Sequence, residues 1–311
     1  MDQPVHRAIT LRRIVLWAGV GIAAAWLCLS PRPQATLALL GDINLARGNV
    51  SAPGDGAFQA LRADLKDVDW ILANLESPLG TGEPEQGEYI LCAPPEKVAV
   101  LQQAGIGLVS LANNHRGDCG SRDQTAKTLT RAGITSLEED AAILRLQGGL
   151  PLVVLAGNDV DHPADLAKLG EAVNRWKKEG YIVVVSMHWG NEYQAGPSRR
   201  QEDMALALHR AGADLVWGHH PHVLQRVERL ENADGKVTWV AYSLGNAFFD
   251  QEMLPDAQRS AVLLVTFSSR GVEEVRAVPF VIDSRQGRVE AADEETGRLV
   301  LDRLKLGETG R

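Results

Sequence analysis

The chain has 311 residues, of which 45% are hydrophobic and 23% charged, enough for one large domain or two small ones with a sizeable core. A formal net charge of -8 at pH 7 argues against a general nucleic-acid binder, which shows a basic face. Neither a repeat period nor a long low-complexity tract is evident.

The N-terminus is basic, with His6, Arg7, Arg12 and Arg13 and no acid after Asp2. Residues 14–29 are then apolar, and Ser30-Pro31-Arg32-Pro33 ends the run. A basic flank followed by a hydrophobic helix fits a secretory signal or a membrane anchor. The run is slightly shorter than the ~20 residues a spanning helix prefers. However, no small-x-small cleavage site follows it, and bulky Trp26 disfavours a lipoprotein site at Cys28. The expectation is an uncleaved single-pass membrane anchor, N-terminus in the cytoplasm and main domain outside. Secretion after cleavage is the alternative. This divides the chain into a flank and anchor (1–33), a main domain (34–283) and a polar tail (284–311) that includes a short terminal helix.

Beyond the anchor, strand-like and helix-like runs alternate, which implies a layered α/β domain. Strands are expected over 35–40, 68–73, 106–112, 150–156, 181–187, 215–217 and 237–242. Helices are expected over 58–65, 94–105, 121–132, 166–179 and 200–211. A hairpin turning at Ser268-Ser269-Arg270-Gly271 closes the domain. Residues 80–88 read as a surface loop.

Five strand ends carry ligand-type residues: Asp42, Glu76, Asn113-Asn114-His115, His188 and His219-His220-Pro221-His222. The C-terminal ends of parallel strands share one rim, where open α/β sheets bind ligands. Three histidines within four residues cannot all face an apolar core, and an alternating His-x-His pair can point both rings at one ion. Mixed carboxylate, amide and imidazole donors suit one or two ions of Mn, Fe or Zn. Each signal alone also fits a turn or a solvated loop. Trp189, Trp217 and Trp239 read as packing residues. Glu192 reads as a partner of His188 or a solvated carboxylate. Ser243 lacks the Gly-x-Ser-x-Gly setting of a serine hydrolase. Cys92 and Cys119 are free to pair outside the cytoplasm or to remain separate thiols; no Cys-x-x-Cys pair is present.

Six motifs occur in order over about residues 36–250: Gly41-Asp42-Ile43-Asn44-Leu45, Asn74-Leu75-Glu76, Leu111-Ala112-Asn113-Asn114-His115, His188-Trp189-Gly190-Asn191-Glu192-Tyr193, Gly218-His219-His220-Pro221-His222 and Tyr242-Ser243-Leu244-Gly245-Asn246. Together they resemble the CapA family, associated with synthesis of poly-γ-glutamate capsules. The resemblance implies a calcineurin-like metallophosphatase fold, a four-layer αββα sandwich, in a cell-envelope protein. It implies metal ligands at Asp42, Asn44, Glu76, Asn114, His188, His220 and His222, with His219 able to displace one of the last two. It places His115 where phosphoesterases keep the catalytic His that assists the leaving group. Asn44 stands where those enzymes have His, and Glu76 where they have the bridging Asp.

Three functions are compatible with this reading. The first is a membrane-anchored protein of capsule biosynthesis or export, its partners poly-γ-glutamate or a related anionic polymer and other capsule-assembly membrane proteins. The second is a metal-dependent hydrolase of phosphoesters or amides in the cell envelope. The third is a non-catalytic scaffold of the same fold.

Overall fold

The computed structural model describes residues 33–47, 56–81, 89–120 and 122–306. The hydrophobic helix expected over residues 14–29 lies outside the described residues. Among those described, no helix is long and apolar enough to cross a membrane. Gln34–Arg311 forms one compact unit.

The chain begins as the alternation of strands and helices requires. β1 (Ala35–Ile43), β2 (Trp70–Leu75), β3 (Ile106–Ser110) and β4 (Thr135–Leu137) are adjacent and parallel. A second sheet follows: β5 (Ala142–Arg145), β6 (Pro151–Asn158), β7 (Ile182–His188), β8 (Leu215–His219), β9 (Val227–Glu231) and β10 (Val237–Ala241). Its order is β5-β6-β7-β8-β10-β9, parallel at the centre and antiparallel at both edges. The chain then returns to the first sheet. β11 (Asn246–Phe248) pairs with β1, and β12 (Arg259–Ser268), β13 (Gly271–Asp283) and β14 (Arg288–Ala291) extend the order to β14-β13-β12-β1-β2-β3-β4.

Side-chain alternation along β1 explains why the sheets stack. Leu37 and Leu39 point into a cluster shared with Val154, Val184, Leu215 and Trp217 of the second sheet. Ala38 and Leu40 point the other way, toward the helical cover that includes Leu65, Leu101 and Leu129. That cover holds α1 (Arg62–Leu65), α2 (Val98–Gln103) and α3 (Arg122–Arg131). The outer face of the second sheet packs Val173 of α4 (Leu166–Lys178) and Met204 and Leu208 of α5 (Arg199–Ala211). The result is helix, sheet, sheet, helix. Trp217 Nε1 donates to Leu40 O at 3.0 Å, tying β8 to β1. Trp189 is fully buried, and its Nε1 donates to Tyr242 O at 2.9 Å. Both tryptophans are packing residues.

Residues 284–306 pack on the sandwich. β14 pairs with β13, and α6 (Glu294–Leu304) buries Val300 and Leu304 in the inter-sheet cluster. The polar composition misleads because α6 buries only one stripe of a helix. Cys92 and Cys119 are joined in a disulfide, their Cα atoms 5.0 Å apart.

Two glycines are dictated by strand packing. A Cβ on Gly41 would lie 1.9 Å from Gly245 O, and one on Gly218 would lie 2.1 Å from Tyr242 O. Both glycines directly precede site residues, so close backbone approach and ligand placement are linked.

Candidate metal centre

The C-terminal ends of β1, β2, β3, β7 and β8 deliver their polar residues to one rim, as parallel pairing demands. Asp42, Glu76, His188, His219, His220 and His222 are all buried there. Six ionisable groups in a dry setting need partners or an ion.

Glu76 is central. His188 Nε2 lies 3.5 Å from its Oε1, and His222 Nε2 lies 3.8 Å from its Oε2. Neither oxygen makes a hydrogen bond, although both are buried. Asp42 sits beside it. His222 Nδ1 is 3.4 Å from Asp42 Oδ2, and His219 Nδ1 is 3.4 Å from Asp42 Oδ1. The His220 amide donates to Asp42 Oδ2 at 3.1 Å, and Asn74 Nδ2 donates to Oδ1 at 2.9 Å. Asn114 Oδ1 lies 2.7 Å from His188 Nε2. With the ring proton on Nε2, His188 donates to this amide oxygen; without it, both atoms are free to face a cation.

Among the described residues, three sets of side chains bring donor atoms within 4.8 Å of one another: Glu76 with His188 and His220, Asp42 with Glu76 and His222, and Glu192 with His220 and His222. Mixed N and O donors at this spacing fit a divalent transition metal, and sets that share members fit one or two ions. The backbone supports the arrangement. His220 and His222 take positive φ values of 93° and 58°, a conformation non-glycine residues adopt rarely and mostly where surrounding structure enforces it.

The electrostatics fit the same reading. Burial opposes ionisation of Asp42, yet His219 and His222 hold its carboxyl well below the usual carboxylate range. Burial, reinforced by the Asp42 charge, pushes Glu76 well above that range. Burial and neighbouring His220 push His188 well below an ordinary imidazole. Burial and His222 push His220 down to about 4. For His222, burial is outweighed by Glu76 and Asp42, and the imidazole rises to about 9. Asp42 and Glu76 thus favour positive charge at this position, which a divalent cation would also supply.

Asn44 bonds elsewhere: its Nδ2 donates to Asp250 Oδ1 at 3.1 Å, and its Oδ1 accepts the Ala46 amide at 2.9 Å. Both ends of its amide are engaged, because the chain bends just past β1. His219 contacts Asp42 and packs edge-on against Trp217, ring centroids 4.4 Å apart, outside the three donor sets. Glu192 stands with His220 and His222 rather than with His188.

Other residues in the motifs prove to be braces. Asn74 accepts from Asn113 Nδ2 at 3.2 Å while holding Asp42. His222 Nδ1 donates to Asn246 Oδ1 at 3.0 Å, which leaves Nε2 toward Glu76. A metal-ligating His commonly donates its other N–H in this way. Asn246 is placed by the β1–β11 register, opposite Asp42. Asn74 and Asn246 were visible only as members of their motifs. His115 stands one residue beyond Asn114, and its Nδ1 pairs with Asp118 Oδ2 at 2.9 Å.

Two stacked sheets with helices on both outer faces fit a metallophosphatase-like sandwich. The family model described as "Bacterial capsule synthesis protein PGA_cap" matches residues 36–251, and the chain belongs to that family. It is 28% identical over 292 residues to the capsule biosynthesis protein CapA of Bacillus anthracis, which covers 80% of this chain and 69% of that protein. It is 31% identical over 224 residues to the PGA biosynthesis protein CapA of Bacillus subtilis (strain 168), covering 63% of this chain and 57% of the relative.

Proposed function

We propose that the chain acts in assembly or export of an anionic capsule polymer, of the poly-γ-glutamate type, through a divalent-metal centre outside the cytoplasm. Asp42, Glu76, Asn114, His188, His220 and His222 hold the metal, with Glu192 an additional donor. The observation that carries this reading is Glu76, a buried carboxylate with two unbonded oxygens facing two imidazoles. A bound divalent ion would supply Lewis acidity toward an ester or amide oxygen. Around it the chain's own residues orient and exclude water. Asn74 and Asn246 fix Asp42 and His222, and the buried imidazoles wall off the centre. The Cys92–Cys119 disulfide supports an oxidising compartment. The N-terminal anchor expected from the sequence would place the domain there.

The test is metal content by elemental mass spectrometry on protein purified without chelators or a His tag. Near-stoichiometric Mn, Fe or Zn is expected, lost in His188→Ala. A metal-free protein after reconstitution sinks the reading and leaves a scaffold.

A hydrolase is the second reading, and one observation favours it. His115 is oriented by Asp118 beside Asn114, and with Nδ1–H directed at the carboxylate its Nε2 is left to take or give a proton. Release of phosphate from phosphoesters, or of amine from γ-linked glutamyl amides, is the assay. Turnover that persists in Asp42→Ala/His222→Ala excludes it.

A further inference from the structure

A cavity of ≈ 290 Å³ lies beside the metal centre and is lined by none of the carboxylates or imidazoles of the centre. Ala112 and Arg116, on either side of Asn113-Asn114-His115, line it, and so does Asn158, the sheet partner of His188. It therefore adjoins the centre on the His115 side.

The floor is apolar, with Ala112, Leu155, Ala156 and Leu169. The rim carries both signs: Arg116 and Lys168 against Glu139, Asp161 and Asp165. Arg116 is already paired with Glu139 at 3.1 Å, and one oxygen of Asp161 accepts Asn158 Nδ2 at 3.1 Å. Among the described residues the Lys168 ammonium makes no close ion pair, although its charge acts on Glu139 from a distance, and Asp161 keeps one oxygen outside its bond to Asn158.

The wall is built in advance. Arg200 Nε and Nη2 both donate to Asp159 at 2.5 Å, and Asp159 Oδ1 accepts the Ala164 amide at 2.8 Å. Asn158 Oδ1 accepts the Val160 amide at 2.9 Å. A loop pinned at both ends loses little freedom when a ligand enters.

We propose that this cavity receives the free α-amino-acid end of the polymer, an inference that rests on the proposed function. The α-carboxylate meets Lys168 and Arg116, the α-ammonium meets Asp161, and the methylene arm lies on the apolar floor. In a γ-linked chain the terminal residue keeps ammonium and carboxylate on one carbon, with two methylenes leading to the first amide. A simple anion would leave Asp161 facing like charge, and an apolar ligand would strip water from the rim charges without replacing it. The volume falls just below the ~300 Å³ at which drug-sized sites begin, room for one chain end rather than several residues.

The experiment is calorimetric titration of the full chain with three probes: γ-glutamyl-glutamate, its N-acetyl form and 4-aminobutyryl-glutamate. Metal content is read on the same samples. The first probe should bind saturably, and each of the others, lacking one terminal charge, should bind at least about tenfold more weakly. Lys168→Ala and Asp161→Ala should each cost about tenfold for the first probe and leave metal content unchanged. Lys168 is exposed on α4, so its variant keeps the test valid if the loop variant misfolds. Equal affinity for the N-acetyl probe overturns the proposal, as does unchanged binding in Lys168→Ala. A metal-replete protein that binds none of the probes overturns it as well and leaves the metal centre standing. A metal-free protein that still binds γ-glutamyl-glutamate through Lys168 supports the cavity and removes the metal centre.

Discussion

Asp118 holds two partners with one oxygen: His115 Nδ1 at 2.9 Å and the Leu91 amide at 2.7 Å. The next residue on each side, Cys92 and Cys119, carries the disulfide. The crosslink therefore clamps the hydrogen bond that orients the imidazole. Asp118→Asn should lower any hydrolytic turnover by about tenfold or more, below the ~10²–10⁴ expected for losing His115 itself. Metal content should not change. Equal turnover in Asp118→Asn and wild type would remove Asp118 as a positioning residue.

The disulfide should also stabilise the domain. Its closed loop spans a sequence separation of 27, for which the chain-entropy relation gives roughly 3–4 kcal/mol. Reduction, or the Cys92→Ser/Cys119→Ser pair, should lower the thermal midpoint by several degrees. Scanning calorimetry with and without reductant measures this, and a midpoint insensitive to reduction contradicts it.

Metal and stability should be linked through Glu76. A ligand that binds only the folded state adds about 2.7 kcal/mol at one hundred times its dissociation constant. A chelator should therefore lower the midpoint of wild-type protein, and added Mn or Zn should restore it. Glu76→Gln replaces the unbonded carboxylate with a neutral amide, and its midpoint should respond little to either treatment. A chelator effect of the same size in both proteins would place the stabilising ion elsewhere.

Gly218 tolerates no side chain. Its Cβ would sit 2.1 Å from Tyr242 O and 2.6 Å from Trp189 Nε1, both buried just past the ends of β10 and β7. Gly218→Ala should destabilise by at least about 3 kcal/mol or abolish soluble expression, as overpacking against backbone does. Gly117→Ala is the control, since nothing lies within 4 Å of its added Cβ. Urea unfolding of both variants decides the matter.

Much of the architecture was legible because it is local. Alternating runs separated by glycine and proline turns mark strands and helices residue by residue. Parallel strands all present the same end to the same rim, so Asp42, Glu76, Asn114, His188 and His220 were expected together before any pairing was known. The short edge strands β4, β5 and β9 carried no such signal. Their pairing is supplied by a neighbour rather than by their own periodicity. The polar stretch 157–163 gave no pattern either, because its order comes from Asp159 and its clasp with Arg200 on another element.

The sequence by itself determined the layered class, the rim on which chemistry gathers, and the residue types gathered there, since each follows from spacing along one strand or helix. Only the tertiary structure decided how those residues divide the work. Asn44 is drawn off by Asp250, 206 positions away, and Asn246 is brought to His222 by the pairing of β11 with β1. Glu192 joins His220 and His222, and Cys92 meets Cys119 across the loop that holds His115. The physical reason is the same in each case. A side chain's partner is set by sheet order and register, and these depend on cooperative packing of the whole core rather than on any local pattern.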